Sequence, residues 1–270
     1  GLTIAFKDFD SRLGIIGSPF VGLKYFRQFF STNIASKTIV NTLMLGLAQL
    51  VFAFPVPVVF ALLLNQLPGK YFKKTVQTIS FAPHFISVVV LVSMLNIMLA
   101  PKSGFVNQLI VACGGKPVFF TSRSEYFRPL YVLSGIWQSM GYSAIIYISA
   151  LTGVSPDLHE AAVMDGASKM QRIWHIDIPC IMPTVIIMLI LQVGNLLSVN
   201  FDQIYILIND MVLETGETLD YYVYRVGLYS TNNFSQATAV GLIKSLIGFV
   251  LVITTNIITK KMTDGEGGIW

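Results

Sequence analysis

The ionisable side chains of this sequence match none of the common catalytic or metal-binding patterns. The three histidines, His84, His159 and His175, lie far apart, and none belongs to a ligand pattern such as HExxH. The phosphate-cradling pattern GxxxxGK[ST] does not occur, and neither does the GxSxG pattern of a serine nucleophile. Cys113 and Cys180 have no metal-ligand spacing. We therefore expect no catalytic residue, no metal site and no cofactor on this chain.

The chain carries one moderately polar segment between two long apolar runs, from Glu160 to Pro179, with the sequence EAAVMDGASKMQRIWHIDIP. Just before it, Ser155 suits the N-cap of a helix and Pro156 its first position. Gly166 offers the left-handed conformation that ends this helix. Apolar residues at helical spacing predict a second helix that ends at Pro179, namely Met170, Ile173 and Trp174. The segment is thus predicted to form two short helices on a membrane surface.

Composition places the chain in a membrane. Hydrophobic residues make up 54% of the sequence and charged residues 12%, and the mean hydropathy is +0.67, which is too apolar for a soluble domain of this length. The net charge of +4 is small and is scattered over predicted loops. No basic run is interleaved with aromatic residues, so we expect no binding to nucleic acid.

Five segments are long and apolar enough to cross a bilayer, because a hydrocarbon core of about 30 Å needs about 20 apolar helical residues. These predicted spans are residues 38–64, 75–100, 129–154, 183–208 and 238–259. We divide the chain into a lead segment (1–36), a transmembrane domain (37–260) that contains a cytoplasmic loop (155–180), and a cytoplasmic tail (261–270). The lead segment mixes aromatic residues with charges and is expected to lie outside the cytoplasm, along the membrane interface.

The orientation depends on which positive charges are weighed. The short loop between the first two spans holds Lys70, Lys73 and Lys74, and Lys260 and Lys261 fall on the same side. This density argues for the cytoplasm, although the other side carries more Lys and Arg in total. We weigh the dense short loop more heavily than the total count.

Polar side chains in two spans are candidates for a solute pathway. The fourth span is unusually polar, and positions 192, 195 and 199 would share one helical face while 196, 200 and 203 would share another. Such groups line an aqueous cavity or hydrogen-bond neighbouring helices. The candidate pathway residues are Trp137, Gln138, Asn195, Asn200, Asp202 and Gln203. We also expect Asp202 to form an ion pair with Lys244.

The polar segment resembles the EAA loop of binding-protein-dependent ABC importer permeases. The resemblance rests on Glu-Ala-Ala, on Gly166 and, after nine intervening residues, on Ile176-x-Ile178-Pro179, with Ile178 where the family usually has Leu. It implies an all-α integral membrane protein with the type I importer fold, five visible spans of a six-span core, and a first span that we expect to precede Gly1. It also implies that the loop is a coupling helix that enters a cleft of the cytoplasmic ATPase. The residues assigned to that contact are Glu160, Ala161, Ala162, Asp165, Gly166, Ile176 and Pro179.

The same resemblance implies the partners. They are a second, similar permease that completes a heterodimer, two cytoplasmic ATPases that bind ATP and Mg²⁺, and an extracytoplasmic solute-binding protein, all at the bacterial plasma membrane. The lead segment and the tail are similar to those of permeases for oligosaccharides from complex polysaccharides. Two alternatives stay open: an EAA-loop importer for amino acids, peptides or ions, and a membrane scaffold or channel without transport.

Overall fold

The computed structural model describes residues 1–229 and 233–262. Over these residues it is helical, with one isolated β-bridge, between Lys7 and Phe20. The α-helices are α1 (Gly14–Gly17), α2 (Lys24–Phe30), α3 (Asn33–Ala48), α4 (Pro55–Asn65), α5 (Lys70–Phe81), α6 (Val88–Met98), α7 (Phe105–Ala112), α8 (Ser124–Thr152), α9 (Pro156–Met164), α10 (Lys169–Arg172), α11 (Ile178–Gly194), α12 (Phe201–Leu207), α13 (Leu213–Gly216), α14 (Leu219–Tyr224) and α15 (Phe234–Met262). Most of the predicted tail, 263–270, lies outside the described residues.

Shorter helical pieces join several of these helices. The 3₁₀ turns are Leu2–Phe6, Ala82–Phe85 and Phe120–Ser122, and the π-helical segments are Gln49–Ala53, Ile173–Asp177 and Arg225–Tyr229. A π turn is wider than an α turn and often appears where the regular hydrogen-bond ladder is disturbed. Two of the π segments directly precede proline-containing helices, α4 and α11. Proline lacks a backbone donor, so the wide turn accommodates it without ending the helix.

The chain forms two compact units. The first unit contains 1–47, 88–131 and 195–251, and the second contains 48–87, 132–194 and 252–270. The chain therefore passes between the units five times, once within each predicted span. The lead segment belongs to the first unit, and the loop 155–180 belongs to the second.

Several helices reach membrane-spanning length. Three described helices are long and apolar enough to cross a bilayer, Asn33–Asn65, Lys169–Gly194 and Phe234–Lys261, and a bent pair, Lys70–Phe85 with Val88–Met98, makes a fourth. The 29-residue helix α8 corresponds to the remaining predicted span and is less apolar than these. All five predicted spans thus contain helices, but two of them are not single helices.

The predicted span 75–100 is not one straight helix. Its two parts are bent by 97°, because α5 gives way to the 3₁₀ turn that contains Pro83, and Ile86 is extended. The predicted span 183–208 is also wrong, since α11 ends at Gly194 and Asn200 caps a separate short helix, α12. The two helical faces expected for positions 192–203 therefore do not exist.

Apolar clusters hold each unit together. In the first unit, helices α2, α3, α14 and α15 meet in one cluster: Phe29, Ala35, Leu219, Tyr222, Val226 and Val240. In the second unit, helices α4, α8 and α11 meet with the π segment that precedes α11: Ala61, Leu62, Ala144, Tyr147, Leu151, Ile173 and Ile181. Lipid tails are as apolar as these side chains, so helices in a membrane associate mainly through van der Waals packing and interhelical hydrogen bonds.

The lead segment is folded onto α15 of the same unit. Ala5 and Tyr25 pack with Ala239, and Ser235 Oγ accepts a hydrogen bond from the Phe9 backbone. The Tyr25 hydroxyl donates to the Asp8 carboxylate. Burial and this carboxylate raise the pKa of Tyr25 to about 12. The segment is therefore an ordered part of the first unit.

Candidate coupling site and solute pathway

The first helix of the polar segment forms as the sequence predicts. Ser155 Oγ accepts a hydrogen bond from the Asp157 backbone at 3.3 Å, and Pro156 occupies the first position of α9. At the other end Gly166 has a φ of +79°. The Ala167 amide donates to the Ala162 carbonyl at 2.8 Å, and Gly166 donates to Val163 at 3.0 Å. This pair of bonds is the Schellman arrangement, which satisfies the last carbonyls of the helix.

The second helix begins at a capping box that the sequence analysis missed. Ser168 Oγ accepts from the Gln171 backbone, and Gln171 Oε1 accepts from the Ser168 backbone. The signal was present as Ser-x-x-Gln, the usual spacing of this motif. The predicted end at Pro179 is wrong, because the helix continues through the π segment Ile173–Asp177 into α11.

The loop presents an outward surface that is mostly apolar. Glu160 and Ala161 are exposed, as are Asp165 and Gly166, whereas Ala162 and Ile176 are half-buried and Pro179 is exposed at the start of α11. Exposed apolar side chains surround them: Leu158, Val163, Met164, Met170 and Trp174. Met164 is 88% exposed. Several large apolar side chains left in contact with solvent on one loop are typical of a surface that a partner covers.

A buried polar cluster lies beneath this surface. The Asp177 side chain is fully buried, and its Oδ1 lies 3.2 Å from His159 Nε2 on α9. Gln66 Nε2, at the C-terminal end of α4, donates to Asp177 Oδ2 at 3.0 Å. From the sequence, His159 lies far from the other histidines and matches no ligand pattern, and Asp177 has no predicted role. The available signal was a single acid between Ile176 and Ile178, close to the start of the predicted span 183–208, since an acid in apolar surroundings needs a partner.

Two predicted pathway residues lie on α8 in the second unit. Trp137 is 44% exposed. Gln138 Nε2 donates to the Ile86 carbonyl at 2.7 Å, which satisfies a backbone acceptor at the 97° bend. One turn along α8, the Tyr142 ring stacks on His84 with a centroid distance of 3.9 Å. These side chains support the bend, and Trp137 stays accessible.

The other predicted pathway residues lie in the first unit, and they differ in accessibility. Asn195, Asn200 and Asp202 are exposed. The Asn200 side chain accepts from the Gln203 backbone and caps α12. Gln203 is 2% exposed and donates to the Tyr131 carbonyl at 3.1 Å, which favours helix packing at this position over solute contact.

The predicted ion pair between Asp202 and Lys244 is wrong. Lys244 Nζ contacts both carboxylate oxygens of Asp220, at 2.6 and 2.8 Å. Asp220 lies in the first turn of α14, while Asp202 is exposed at the start of α12. The break after Gly194 separates Asp202 from the helix on which the prediction placed it. Lys244 therefore links α15 to α14.

An aromatic cluster in the first unit was also missed. The rings of Phe201, Tyr205 and Tyr224 lie 5.1–5.7 Å apart, and Tyr229 stacks on Tyr224 at 6.3 Å. Tyr205 is 46% and Tyr229 is 76% exposed. An open cavity of about 610 Å³ adjoins Phe201 and Tyr224. The signal in the sequence was the concentration of tyrosines between residues 205 and 229. Only Tyr205 of these tyrosines lies within a predicted span, 183–208.

The described residues contain no group of three or more His, Cys, Asp or Glu side chains arranged to hold a metal ion. These residues offer two other features. One is an exposed surface on the capped helix α9, of the kind that a partner protein covers. The other is a set of accessible aromatic and amide groups near helices of membrane-spanning length. This combination fits a membrane component that is moved by another protein and that passes a solute.

Comparison with known proteins assigns the family. Residues 29–264 match the family described as "Binding-protein-dependent transport system inner membrane component". The chain belongs to this family. It is 43% identical over 270 residues to the polygalacturonan/rhamnogalacturonan transport system permease protein YteP of Bacillus subtilis (strain 168). The alignment covers 100% of this chain and 83% of that protein.

Solved structures agree with this assignment. The permease is similar to a chain of a bacterial ABC transporter for import of the acidic polysaccharide alginate, with a TM-score of 0.90, 35% identity, and coverage of 97% of this chain and 88% of the other. A second structure, the bacterial alginate transporter in complex with an alginate pentasaccharide-bound periplasmic protein, gives a TM-score of 0.91 and 33% identity, covering 100% and 88%. The predicted all-α type I importer fold and the prediction of an ABC importer permease are confirmed.

Proposed function

We propose that this permease carries oligosaccharides released from complex polysaccharides into the cell. The observation that carries the proposal is the 43% identity, over the whole chain, to a permease named for polygalacturonan and rhamnogalacturonan transport. The likeness to the alginate importer supports the same substrate class. Exposed aromatic and amide groups suit sugars, because a ligand site combines apolar contact with a few placed polar groups.

The transport cycle needs partners that this chain does not supply. A second, similar permease completes the pathway as a heterodimer, and two cytoplasmic ATPases bind ATP and Mg²⁺ and perform the hydrolysis. An extracytoplasmic binding protein delivers the sugar. Closure of the ATPases moves the coupling helix α9, and the spans then open outward to receive the solute. Glu160 contacts a basic group of the ATPase, and the small Ala161 and Ala162 let α9 enter its cleft.

The chain lies in the bacterial plasma membrane with the lead segment outside and the loop 155–180 in the cytoplasm. Three predicted spans separate the lead segment from the loop, and an odd number of spans puts two segments on opposite sides of a membrane. The structure places Lys70, Lys73 and Lys74 at the start of helix α5, in the same unit as the coupling helix, in accordance with the preference of positive charge for the cytoplasm.

Cysteine labelling in whole cells tests this topology. After replacement of the two exposed native cysteines, Cys113 and Cys180, a cysteine at Ile16, which is 94% exposed, should react with a membrane-impermeant maleimide. Ser18, in the same part of the lead segment, is unsuitable for labelling because its side chain is buried. A cysteine at Met164 should react only after the cells are opened. The opposite pattern at the two positions contradicts the orientation of the whole chain.

The aromatic cluster of the first unit is the leading candidate for contact with the sugar. The cluster belongs to the same unit as the lead segment, which we place outside. Exposed tyrosine rings offer a flat apolar face and a hydroxyl group, and both suit a pyranose ring. The exposed Trp137 and Asn195 are further candidate contacts, together with Asn200 and Asp202.

Removal of one ring of the aromatic cluster should weaken transport at low sugar concentration. We expect Tyr205→Ala to raise the sugar concentration that gives half-maximal uptake by roughly three- to ten-fold, which corresponds to the loss of one aromatic contact. The control is Tyr71→Ala, an 89% exposed tyrosine in the second unit. Uptake curves that coincide for Tyr205→Ala and the wild type exclude the cluster from the pathway.

Affinity purification tests the proposed function as a whole. Tagged chain isolated from its native membrane should bring down a second permease and an ABC ATPase in stoichiometric amounts. The purified complex should hydrolyse ATP faster when a sugar-loaded binding protein is added. A scaffold or a channel would bring down no ATPase, and an importer for amino acids or ions would not respond to oligosaccharides.

A further inference from the structure

We propose that His159 and Asp177 form a positioning pair that transmits the movement of the coupling helix to the membrane spans. The inference rests on the proposed function, because it assigns a role within ATPase coupling. It concerns residues that neither the predicted coupling surface nor the solute pathway uses. The pair lies under the outward surface of α9 and does not itself touch a partner.

The geometry joins three helical elements through one carboxylate. Asp177 ends the π segment and directly precedes α11. One of its oxygens lies 3.2 Å from His159 Nε2 on α9, and the other accepts a hydrogen bond from Gln66 at the C-terminal end of α4. A displacement of α9 therefore acts on α11 through Asp177 and on α4 through Gln66. The second unit contains all three residues.

Burial makes this link stiff. The Asp177 side chain is 0% exposed and the His159 side chain 23% exposed. Close to Asp177 in the sequence, Ile173 belongs to the apolar cluster of the second unit and Ile178 packs against that cluster. A buried carboxylate that loses a partner is costly to leave unpaired, so the cluster resists separation of α9 from α11.

An apolar contact in the same place would hold α9 against the spans but would allow it to slide. Dispersion contacts are individually weak and non-directional, whereas a hydrogen bond or an ion pair fixes both distance and direction. Coupling requires that α9 keeps its position relative to α11 and α4 when it moves, so that these helices move with it. The polar pair therefore suits transmission better than apolar packing, which the surrounding cluster already supplies.

The test is the number of sugar molecules taken up per ATP hydrolysed by the complete complex in proteoliposomes. His159→Phe keeps a ring but removes the nitrogen that faces the carboxylate, and Asp177→Asn removes the charge. Each should lower the ratio roughly five-fold or more, in line with the loss of one partner of a buried polar pair. His159→Gln retains a side-chain N–H donor and should recover much of the ratio. The double variant should be no worse than the poorer single variant, because the two residues act as one unit.

The controls separate this role from folding and from the proposed function. Asp210→Asn makes the same change at an exposed aspartate of the first unit and should leave the ratio unchanged. A merely structural pair would reduce the amount of assembled complex, and the assembled fraction would keep the wild-type ratio; that result overturns the inference. A wild-type complex that takes up no sugar contradicts the proposed function instead, whatever the variants do.

Discussion

Uptake of sugar should nearly cease when Glu160 is replaced by lysine, although the membrane protein still folds. Glu160 is exposed on a helix that is capped at both ends by residues other than itself. Reversal of its charge therefore leaves the helix intact and places a cation against the basic group that we propose on the ATPase. Like charges placed against each other at an interface are strongly unfavourable, so we expect transport to fall by roughly ten-fold or more.

The measurement is sugar uptake together with ATP hydrolysis in proteoliposomes that contain the full complex. The binding protein should no longer stimulate hydrolysis in the Glu160→Lys complex. Glu214→Lys is the matched control, because Glu214 is an exposed glutamate of the first unit and its change should leave both activities intact. Wild-type uptake by the Glu160→Lys complex would remove Glu160 from the coupling contact.

Addition of a single methyl group at Gly141 should destabilise the second unit. A Cβ at this position would lie 2.1 Å from the Ser80 carbonyl oxygen and 2.8 Å from the Phe81 backbone nitrogen. Neither atom is the flexible end of a side chain, so α5 and α8 must move apart. Overpacking of this kind costs about 1–3 kcal/mol. Separation of the two helices would also disturb the His84–Tyr142 stack next to it.

We expect Gly141→Ala to lower the melting temperature of the detergent-purified protein by several degrees and to reduce its yield. Gly241→Ala is the matched control on α15, where an added Cβ meets no atom within 4 Å. That change should be neutral or slightly stabilising, since alanine is the better helix former. Equal melting temperatures for both variants and the wild type would show that α5 and α8 are not in this close contact.

The coupling loop was predictable because its signals are local. The cap at Ser155, the proline after it and the glycine at Gly166 act on residues within one or two turns, and the structure places all of them as expected. The capping box at Ser168 was equally local and could have been found from its spacing. Helix caps of this kind depend on residue types within a few positions of one another, so they can be predicted from the sequence.

The failures concern features that distant residues determine. Hydropathy made 75–100 and 183–208 look like single spans, because a bend or a break in a membrane helix keeps the same apolar composition. The bend at Ile86 is supported by Gln138, which lies 52 residues away, and the break after Gly194 is followed by an Asn200 cap whose backbone donates to Tyr131. Satisfaction of the freed backbone groups by remote side chains is what makes such interruptions tolerable.

The polar residues of the fourth predicted span illustrate the same limit. Their presence indicated that they do not face lipid, but not whether they face a solute or another helix. The structure separates them: Gln203 is buried against Tyr131, while Asn195 is exposed. His159 and Asp177 lie 18 residues apart in sequence, and only the turn between α9 and α10 brings them together. The spacing of polar and apolar residues along the sequence does not indicate a contact between two side chains so far apart.

Transport by the reconstituted complex tests the central claim most directly. The permease, its partner permease, the ATPases and the binding protein are placed in proteoliposomes with ATP inside, and uptake of a labelled oligogalacturonide from outside is followed over time. The account predicts sugar accumulation that requires both ATP and the binding protein and that does not occur with a matched amino acid or inorganic ion as solute. Uptake that proceeds equally without ATP, or accumulation of the amino acid or the ion in place of the oligosaccharide, would contradict it.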